Sequence, residues 1–389
     1  MAIPELPNDL VDEILYRVPA TSLKRLRATC KRWNRLFKED RKFASEHRDK
    51  AAKEFLFLIR TGKYRICPLS ITNLPSVEVK RELNSVHNSR LFGMNQVSHC
   101  DGLLLCVRDF ITGPTACQFD IVVWNPFTGQ TRWIEAGNRW EPFLTFVLGY
   151  NNKSSFSQRS YKILCFWPAG KDTEIYDLNS SGSWRRTPED GDLTPPGWTT
   201  TVMSDDFVSL KGNTYFLAQE KSKPQLGDLS LLRFDFSTEK SSLFVRLPYQ
   251  RPRYEIVRLS AVRDEKLSLF LQPDATCKTE IWVTSKIDDD STKAAVSWNK
   301  VFALDLSPHL QITAQVKFLF DEDNKVAVCF ERWRNDYDNQ WIDKIFIFGE
   351  DNQVNEFGFD PVVPFQTGPP PVPLNYVPSL VQIELPAED

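Results

Sequence analysis

Groups able to do chemistry are few in this chain and lie far apart. Four histidines occur, at positions 47, 87, 99 and 309, and eight cysteines, at 30, 67, 100, 106, 117, 165, 277 and 329. His99-Cys100 followed by Cys106 offers the start of a metal site, because imidazole and thiolate are ordinary zinc ligands. The pattern stops there: a hairpin through these residues sends alternate side chains to opposite faces, and no further pair completes a tetrahedral set. Asp288-Asp289-Asp290 and Asp321-Glu322-Asp323 present oxygens of the kind calcium takes, yet both read as turns whose carboxylates face water. No histidine is placed to activate a cysteine as a nucleophile. G-x-S-x-G, the P-loop, G-x-G-x-x-G and H-E-x-x-H are all missing. The sequence therefore nominates no catalytic residue, no metal and no cofactor, and any function must come from surfaces.

The elements that position those surfaces are more informative, beginning with LPNDLVDEILYRVPATSLKRLRATCKRWNRLFKED. Leu10, Val11, Ile14, Leu15 and Val18 recur at helical spacing, the stripe of a helix with one buried face. Asn8 or Asp9 suits its N-cap, and Pro19 cannot continue it. A second, longer helix is expected from a cap at Thr21 or Ser22 to about Phe37, with Leu26, Cys30, Trp33 and Phe37 on one face. Two helices of roughly 30 residues in all are too little to close a core. Their apolar faces must be finished by the rest of the chain or by another protein.

At these residues the chain resembles an F-box. Leu6-Pro7, Asp9-Leu10, Glu13-Ile14-Leu15, Arg17-Val18-Pro19, Ser22-Leu23, Arg25, Cys30-Lys31 and Trp33 follow the family's order and spacing, with Phe43 and His47 trailing. Val18 stands where Leu is commoner, and Ala28-Thr29 where Cys or Val is usual. The resemblance covers about forty residues and implies binding to the Skp adaptor of a Skp–cullin–F-box ubiquitin ligase. On that reading residues 1–50 dock through Leu6, Pro7, Leu10, Ile14, Leu15, Val18, Leu23, Leu26, Cys30, Trp33 and Leu36.

Composition bounds the remainder. With 41% hydrophobic residues the chain has ample material for a large core. Residues 1–54 carry 13 Lys and Arg against 9 Asp and Glu, leaving 35 against 42 for the rest. No apolar run approaches the roughly 18 residues that span a bilayer, and MAIPELPND does not read as a secretory signal. A cytoplasmic or nuclear protein with reduced thiols is expected.

From Phe55 the pattern changes to period two. FLFLIR, GLLLCVR, DIVVWNP, YKILCFW, NTYFLA, LLRFDF, KLSLFL, EIWVTS, KVAVCF and DKIFIFG are short, aromatic and β-branched runs bounded by turn residues. A degenerate four-strand unit a-b-c-d recurs at about 90–136, 143–187, 201–247, 256–304 and 312–358, the signature of propeller blades. Three strands near 55–83 and SLVQIEL at 379–385 would supply a sixth blade, closing the ring and leaving no sheet edge open. Six blades are favoured, with seven an alternative given the uneven spacing. SHCDGLLLC, VVWNPFTGQ, Gly149-Tyr150 before YKIL, and YVPSLVQI resemble pieces of the F-box-associated domain of a large plant family. The expected organisation is thus a small all-α F-box, 1–50, and an all-β propeller, 51–389.

In an a-b-c-d meander the a–b and c–d turns share one face, and the b–c and d–a connections share the other. The long connections are b–c and d–a, and recognition usually sits on long loops held by a rigid scaffold. Trp140, Trp198, Tyr249, Tyr254, Trp333, Tyr337 and Trp341 fall there and are candidate substrate-binding residues. The resulting expectation is a non-catalytic receptor: the helices hold a Skp adaptor, and through it a cullin and a RING subunit, while the propeller recruits an unidentified protein substrate. One alternative is a glycan-binding propeller. Another is nucleic-acid binding by the basic helix, since 21–42 carries nine cations and two anions. The acidic remainder of the chain and the apolar stripe of that helix argue against nucleic acid as a partner, and no membrane partner is implied.

Overall fold

The computed structural model describes residues 6–383 apart from 62–63, 73–75, 81, 84–92, 114–115, 138, 140–143, 152–158, 168–172, 180–181, 189–192, 201–206, 223–228, 249–253, 274–277, 288–295, 306–311, 314, 335–340, 350–352 and 360–369. Four helices come first: α1 (Asn8–Leu15), α2 (Ala20–Leu26), α3 (Lys31–Glu39) and α4 (Arg41–Lys50). The single long second helix expected from the sequence is two. Cys30 is extended at φ −145 and ψ 130, and the Thr29 hydroxyl donates to the Leu26 carbonyl, ending α2. Pro7 and Pro19, rather than the polar residues after them, occupy the N-cap positions of α1 and α2. Each proline carbonyl accepts the first bonds of its helix, from Leu10 and Val11 at α1 and from Ser22 and Leu23 at α2, and the ring's fixed φ is compatible with that position. At α4 a side chain does cap: Asp40 accepts from the Phe43 amide at 2.8 Å. No helix among the described residues is long and apolar enough to cross a membrane.

The strands form a six-bladed propeller. Blade one contains β1 (Leu56–Arg60), β2 (Ile66–Thr72) and β3 (Ser76–Val79), and blade two β4 (Gln96–Cys100), β5 (Leu103–Gly113), β6 (Ala116–Trp124) and β7 (Thr131–Glu135). Blade three is β8 (Thr145–Tyr150), β9 (Tyr161–Phe166), β10 (Thr173–Asp177) and β11 (Trp184–Arg186). In blade four the inner strand is split into β12 (Trp198–Thr200) and β13 (Phe207–Leu210), both pairing with β14 (Asn213–Glu220), before β15 (Leu229–Asp235) and β16 (Lys240–Arg246). Blade five is β17 (Tyr254–Val262), β18 (Lys266–Pro273), β19 (Lys278–Thr284) and β20 (Trp298–Asp305); blade six is β21 (Lys317–Asp321), β22 (Val326–Arg334), β23 (Trp341–Gly349) and β24 (Val354–Phe359).

Ring closure differs from expectation in its strand. The inner strand of blade one is β25 (Val372–Tyr376), paired antiparallel with β1 from Leu56↔Tyr376 to Arg60↔Val372. Among the described residues of SLVQIEL, 379–383 form no ladder and run across the turn face. Their alternating apolar pattern is real, but a turn and a helix cover it: Leu380, Val381 and Ile383 are all buried.

Apolar faces of neighbouring blades fuse into shared clusters, for example Ile121, Phe146 and Ile163 between blades two and three. Such packing leaves little room: a Cβ added at Gly149 would lie 2.2 Å from the Phe236 ring and 2.7 Å from the Gly212 carbonyl oxygen. Gly149→Ala is therefore expected to lower unfolding free energy by about 1–3 kcal/mol through overpacking between blades three and four, measured as the urea midpoint at unchanged m-value.

Candidate functional site

The helices do not stand apart from the propeller. Leu15, Ala20, Leu23, Phe37, Phe43 and Ala44 form a buried cluster that includes two residues from elsewhere, Phe127 and Leu380. Val11, Tyr16, Val18, Leu26, Trp33 and Leu36 pack around it, half-buried. Phe127 comes from the c–d turn of blade two and Leu380 from the segment after β25. A helical unit too small to close its own core is thus closed by the propeller, with each buried large side chain worth about 1.5–3 kcal/mol.

The turn that delivers Phe127 is built by Asn125, which is fully buried. Its Oδ1 accepts from the amides of Phe127 at 2.8 Å and Thr128 at 3.2 Å, while its Nδ2 donates to the carbonyls of Ser379 at 3.1 Å and Val381 at 2.8 Å. One side chain therefore shapes the Asn-Pro-Phe-Thr-Gly turn and clamps the C-terminal segment to it. The a–b turn of the same blade joins in. Gly102 sits at φ +78, and a Cβ there would lie 2.1 Å from the Ser379 hydroxyl oxygen. Ser379 Oγ in turn donates to the Asp101 carbonyl at 2.9 Å.

Charged groups complete this seat. Arg159 pairs with Asp101 at 2.7 Å, and the Tyr161 hydroxyl donates to the same carboxylate. Burial pushes Asp101 up, but Arg159 and Tyr161 outweigh it and hold the carboxyl below its usual range. Lys53, just after α4, pairs with Asp264 of the blade-five a–b turn at 2.8 Å. Between α4 and these turns lies a cavity of about 320 Å³, walled by His47, Lys53, His99, Asp101, Tyr150 and Lys211, among others. On its wall His99 accepts from the Gly102 amide at 3.0 Å, and burial pulls its pKa down to about 4. Among the described residues no group of His, Cys, Asp and Glu could hold a metal ion, and the seven described cysteines are free thiols. Asp321 of the second acidic run caps its own turn, accepting from the amides of Asp323 and Asn324, while Glu322 pairs with Lys266. The Asp288–Asp290 run, Cys277, His87 and His309 lie outside the described residues.

The opposite side of the helical unit is apolar and open. Leu6, Leu10 and Ile14, four residues apart, are 57%, 52% and 54% exposed. Pro7 beside them is exposed too, as are Arg17, Lys24, Arg25, Lys31, Arg32 and Arg35. The eleven candidate adaptor residues therefore divide. Leu15 and Leu23 are core; Val18, Leu26, Cys30, Trp33 and Leu36 are half-buried; Leu6, Pro7, Leu10 and Ile14 face outward.

This geometry, a short helical unit with an open apolar edge seated on a six-bladed propeller, coincides with two family models. Residues 3–45 match the F-box domain and residues 56–383 the F-box associated beta propeller domain. The chain belongs to the F-box proteins. It is 58% identical to F-box protein ETP1 of Arabidopsis thaliana over 99% of this chain and 97% of that one. F-box protein ETP2 of the same plant is 48% identical, covering 98% of this chain and 96% of its own length. F-box/kelch-repeat protein At3g44120, also from Arabidopsis thaliana, is 43% identical over 99% and 98%. F-box proteins are in general non-catalytic adaptors, and an F-box joined to a propeller supports substrate recognition for a Skp–cullin–F-box assembly in general terms.

In this F-box protein the candidate substrate residues are less of a cluster than the sequence suggested. Trp140, Tyr249 and Tyr337 lie outside the described residues. Trp198 starts β12, Tyr254 starts β17, Trp333 ends near the tip of β22 and Trp341 opens β23, so the four belong to strands that run further than expected. Trp198 and Trp333 pack against interblade clusters. Sequence reasoning missed Trp167, which is 44% exposed at the end of β9. It also missed the seat itself, whose signal lay in the Asn-Pro-Phe-Thr-Gly turn.

Two outcomes are expected. Asn125→Ala removes four hydrogen bonds from a buried turn and should cost about 2–4 kcal/mol in urea denaturation. His99 has a folded pKa below its unfolded value near 6.5, so the unfolded state binds more protons and stability is lost as pH falls from about 6.5 toward 4, by at most about 1.4 kcal/mol per pH unit. In His99→Gln, which keeps an acceptor for Gly102, melting temperature followed across that window should fall less steeply.

Proposed function

We propose that this chain is the substrate-recognition subunit of a Skp–cullin–F-box ubiquitin ligase, in which the F-box holds a Skp adaptor and the propeller recruits a protein substrate. The observation that carries the reading is the exposed row of Leu6, Leu10 and Ile14 on a unit whose other apolar face is already covered. Large apolar side chains grouped on an exposed surface mark a partner site. Pro7 extends that row. The candidate residues that are half-buried, Val18, Leu26, Cys30, Trp33 and Leu36, border it or support it from behind, while Leu15 and Leu23 act by holding α1 and α2 in place. The exposed cations around the row favour an acidic adaptor surface by long-range attraction.

The reading assigns no covalent step to this chain. A cullin-bound RING subunit and its conjugating enzyme carry out transfer, and the receptor raises the effective concentration of substrate lysines beside them. The seat covers the a–b and c–d turn face, so the substrate surface is the opposite, b–c and d–a face, where Trp167, Trp333 and Trp341 lie. Work in the cytoplasm or nucleus follows from that role.

The test is a pair of variants in the full chain. Leu10→Ala with Ile14→Ala removes two exposed anchors; adaptor affinity should drop on the order of 100-fold, with stability changed by no more than about 0.5 kcal/mol. Leu23→Ala should instead cost about 2–5 kcal/mol of stability. Adaptor titration unaffected by the double variant would sink the docking face.

A further inference from the structure

At the loop end of blade six the carboxyl of Glu331 is fully buried. Each of its oxygens has an N–H donor, the Thr313 amide to Oε1 at 2.6 Å and the Trp333 indole to Oε2 at 2.7 Å, and the Thr313 hydroxyl bonds the carboxyl as well. Thr313 belongs to the connection from β20 to β21, whose Ile312 and Val316 are buried against Phe302, Cys329 and Phe346. Trp333 packs on the same cluster. One carboxyl thus ties a d–a connection and a b–c hairpin to the same blade, both on the face opposite the F-box.

Among the described residues few charged groups lie near it. Lys344, directly across the ladder from Glu331, is engaged with Glu356 of β24 at 2.6 Å and lies 5.1 Å over the Trp333 ring. Arg332 and Asp343, on the alternate side of the same ladder, are a buried pair bonded at 2.6 and 2.9 Å. The Cys329 thiol is pushed well up by burial. Residues 312–316, Ile-Thr-Ala-Gln-Val, carry no ionisable side chain, and the blade-five members of the cluster are apolar.

Two demands on Glu331 conflict. Both N–H groups and the Thr313 hydroxyl are met best by the carboxylate; a neutral carboxyl places a hydrogen on one oxygen and weakens its hold on the N–H that faces it. Burial favours the neutral form. We propose that Glu331 is a proton-operated latch, which when ionised holds both Thr313 of the β20–β21 connection and the Trp333 indole to blade six, and when protonated releases one of them. Burial, opposed by the Thr313 and Trp333 donors, brings the carboxyl up to about 7, so the latch works in the neutral range. The linkage sign follows. A folded pKa above the unfolded value gives stability that is full below about 4.5 and is lost as pH rises through about 7; closing the latch therefore draws on the stability of the fold. The latch stands whether or not the loop face binds substrate.

The test follows the Thr313 amide and the Trp333 indole N–H of the full chain by heteronuclear NMR between roughly pH 5.5 and 8.5, a range that brackets a carboxyl tuned to neutrality. The two signals should titrate together with one midpoint near 7. In Glu331→Gln the titration should vanish. In Trp333→Phe, which keeps a ring but removes one donor to the carboxylate, the Thr313 midpoint should move upward. No titration in the natural chain, titration that survives Glu331→Gln, or a midpoint unmoved or lowered by Trp333→Phe would each overturn the proposal.

Discussion

The insertion of Phe127 and Leu380 into the helical cluster governs how the rest of this molecule is arranged. Helices of seven to ten residues cannot enclose a core by themselves, because too much of their surface faces water. Leu15, Leu23, Phe37 and Phe43 are nonetheless buried to 4% exposure or less, and the propeller supplies the missing wall. The wall is fixed from behind. Asn125 satisfies both its own turn and the C-terminal segment, so Phe127 and Leu380 are presented as one surface. Moving either element would strand buried polar groups, which costs more than the hydrogen bonds contribute when formed.

That constraint orders the two faces of the disc. The F-box seat covers a–b and c–d turns, and these are short where they lie beneath it: Asp101-Gly102, Lys211-Gly212 and the Asn125–Gly129 turn. The connections on the other face are longer in sequence, and among the described residues no helix lies on that side. On the proposed reading the two surfaces must be rigidly related, since effective concentration falls when a linker lets the ends wander. Here the linker from Lys50 to Phe55 is short, Lys53 is held by Asp264, and Thr21 of α2 donates to Glu54. Orientation is set by packing and not by chain length.

Much of the fold was legible because period-two runs and turn residues are local signals. Strand existence and the six-unit count followed from them. The closing strand was not, since SLVQIEL alternates as a strand does. Its apolar residues face the Asn125 turn and the helices instead of a ladder, a tertiary contact that no local pattern encodes. Val372–Tyr376, with three prolines just before it and one within it, reads poorly as a strand; as an inner strand it has an unpaired edge where proline is tolerated. The break between α2 and α3 was hidden for a related reason: the stripe Leu26, Cys30, Trp33, Phe37 keeps helical spacing across a gap. The candidate adaptor residues could not be divided by spacing, because exposure separates outward-facing from core positions, and spacing alone gives Leu10 and Leu23 the same standing.

The segments whose resemblance suggested the propeller family also converge. Asp101-Gly102 lies in SHCDGLLLC, Asn125 and Phe127 in VVWNPFTGQ, Ser379 and Leu380 in YVPSLVQI. Tyr150 lines the seat cavity, and Tyr161 of YKIL bonds Asp101. All four pieces thus meet at the junction with the F-box and not at the opposite face of the disc. A physical reason is at hand. Blade strands need only suitable apolar residues at alternate positions, which many sequences satisfy. A turn that must project one phenylalanine, accept a tail at 2.8 Å and tolerate no Cβ at Gly102 admits few. Motifs of this chain therefore report how the propeller is joined to the F-box, while the connections on the opposite face share no such constraint.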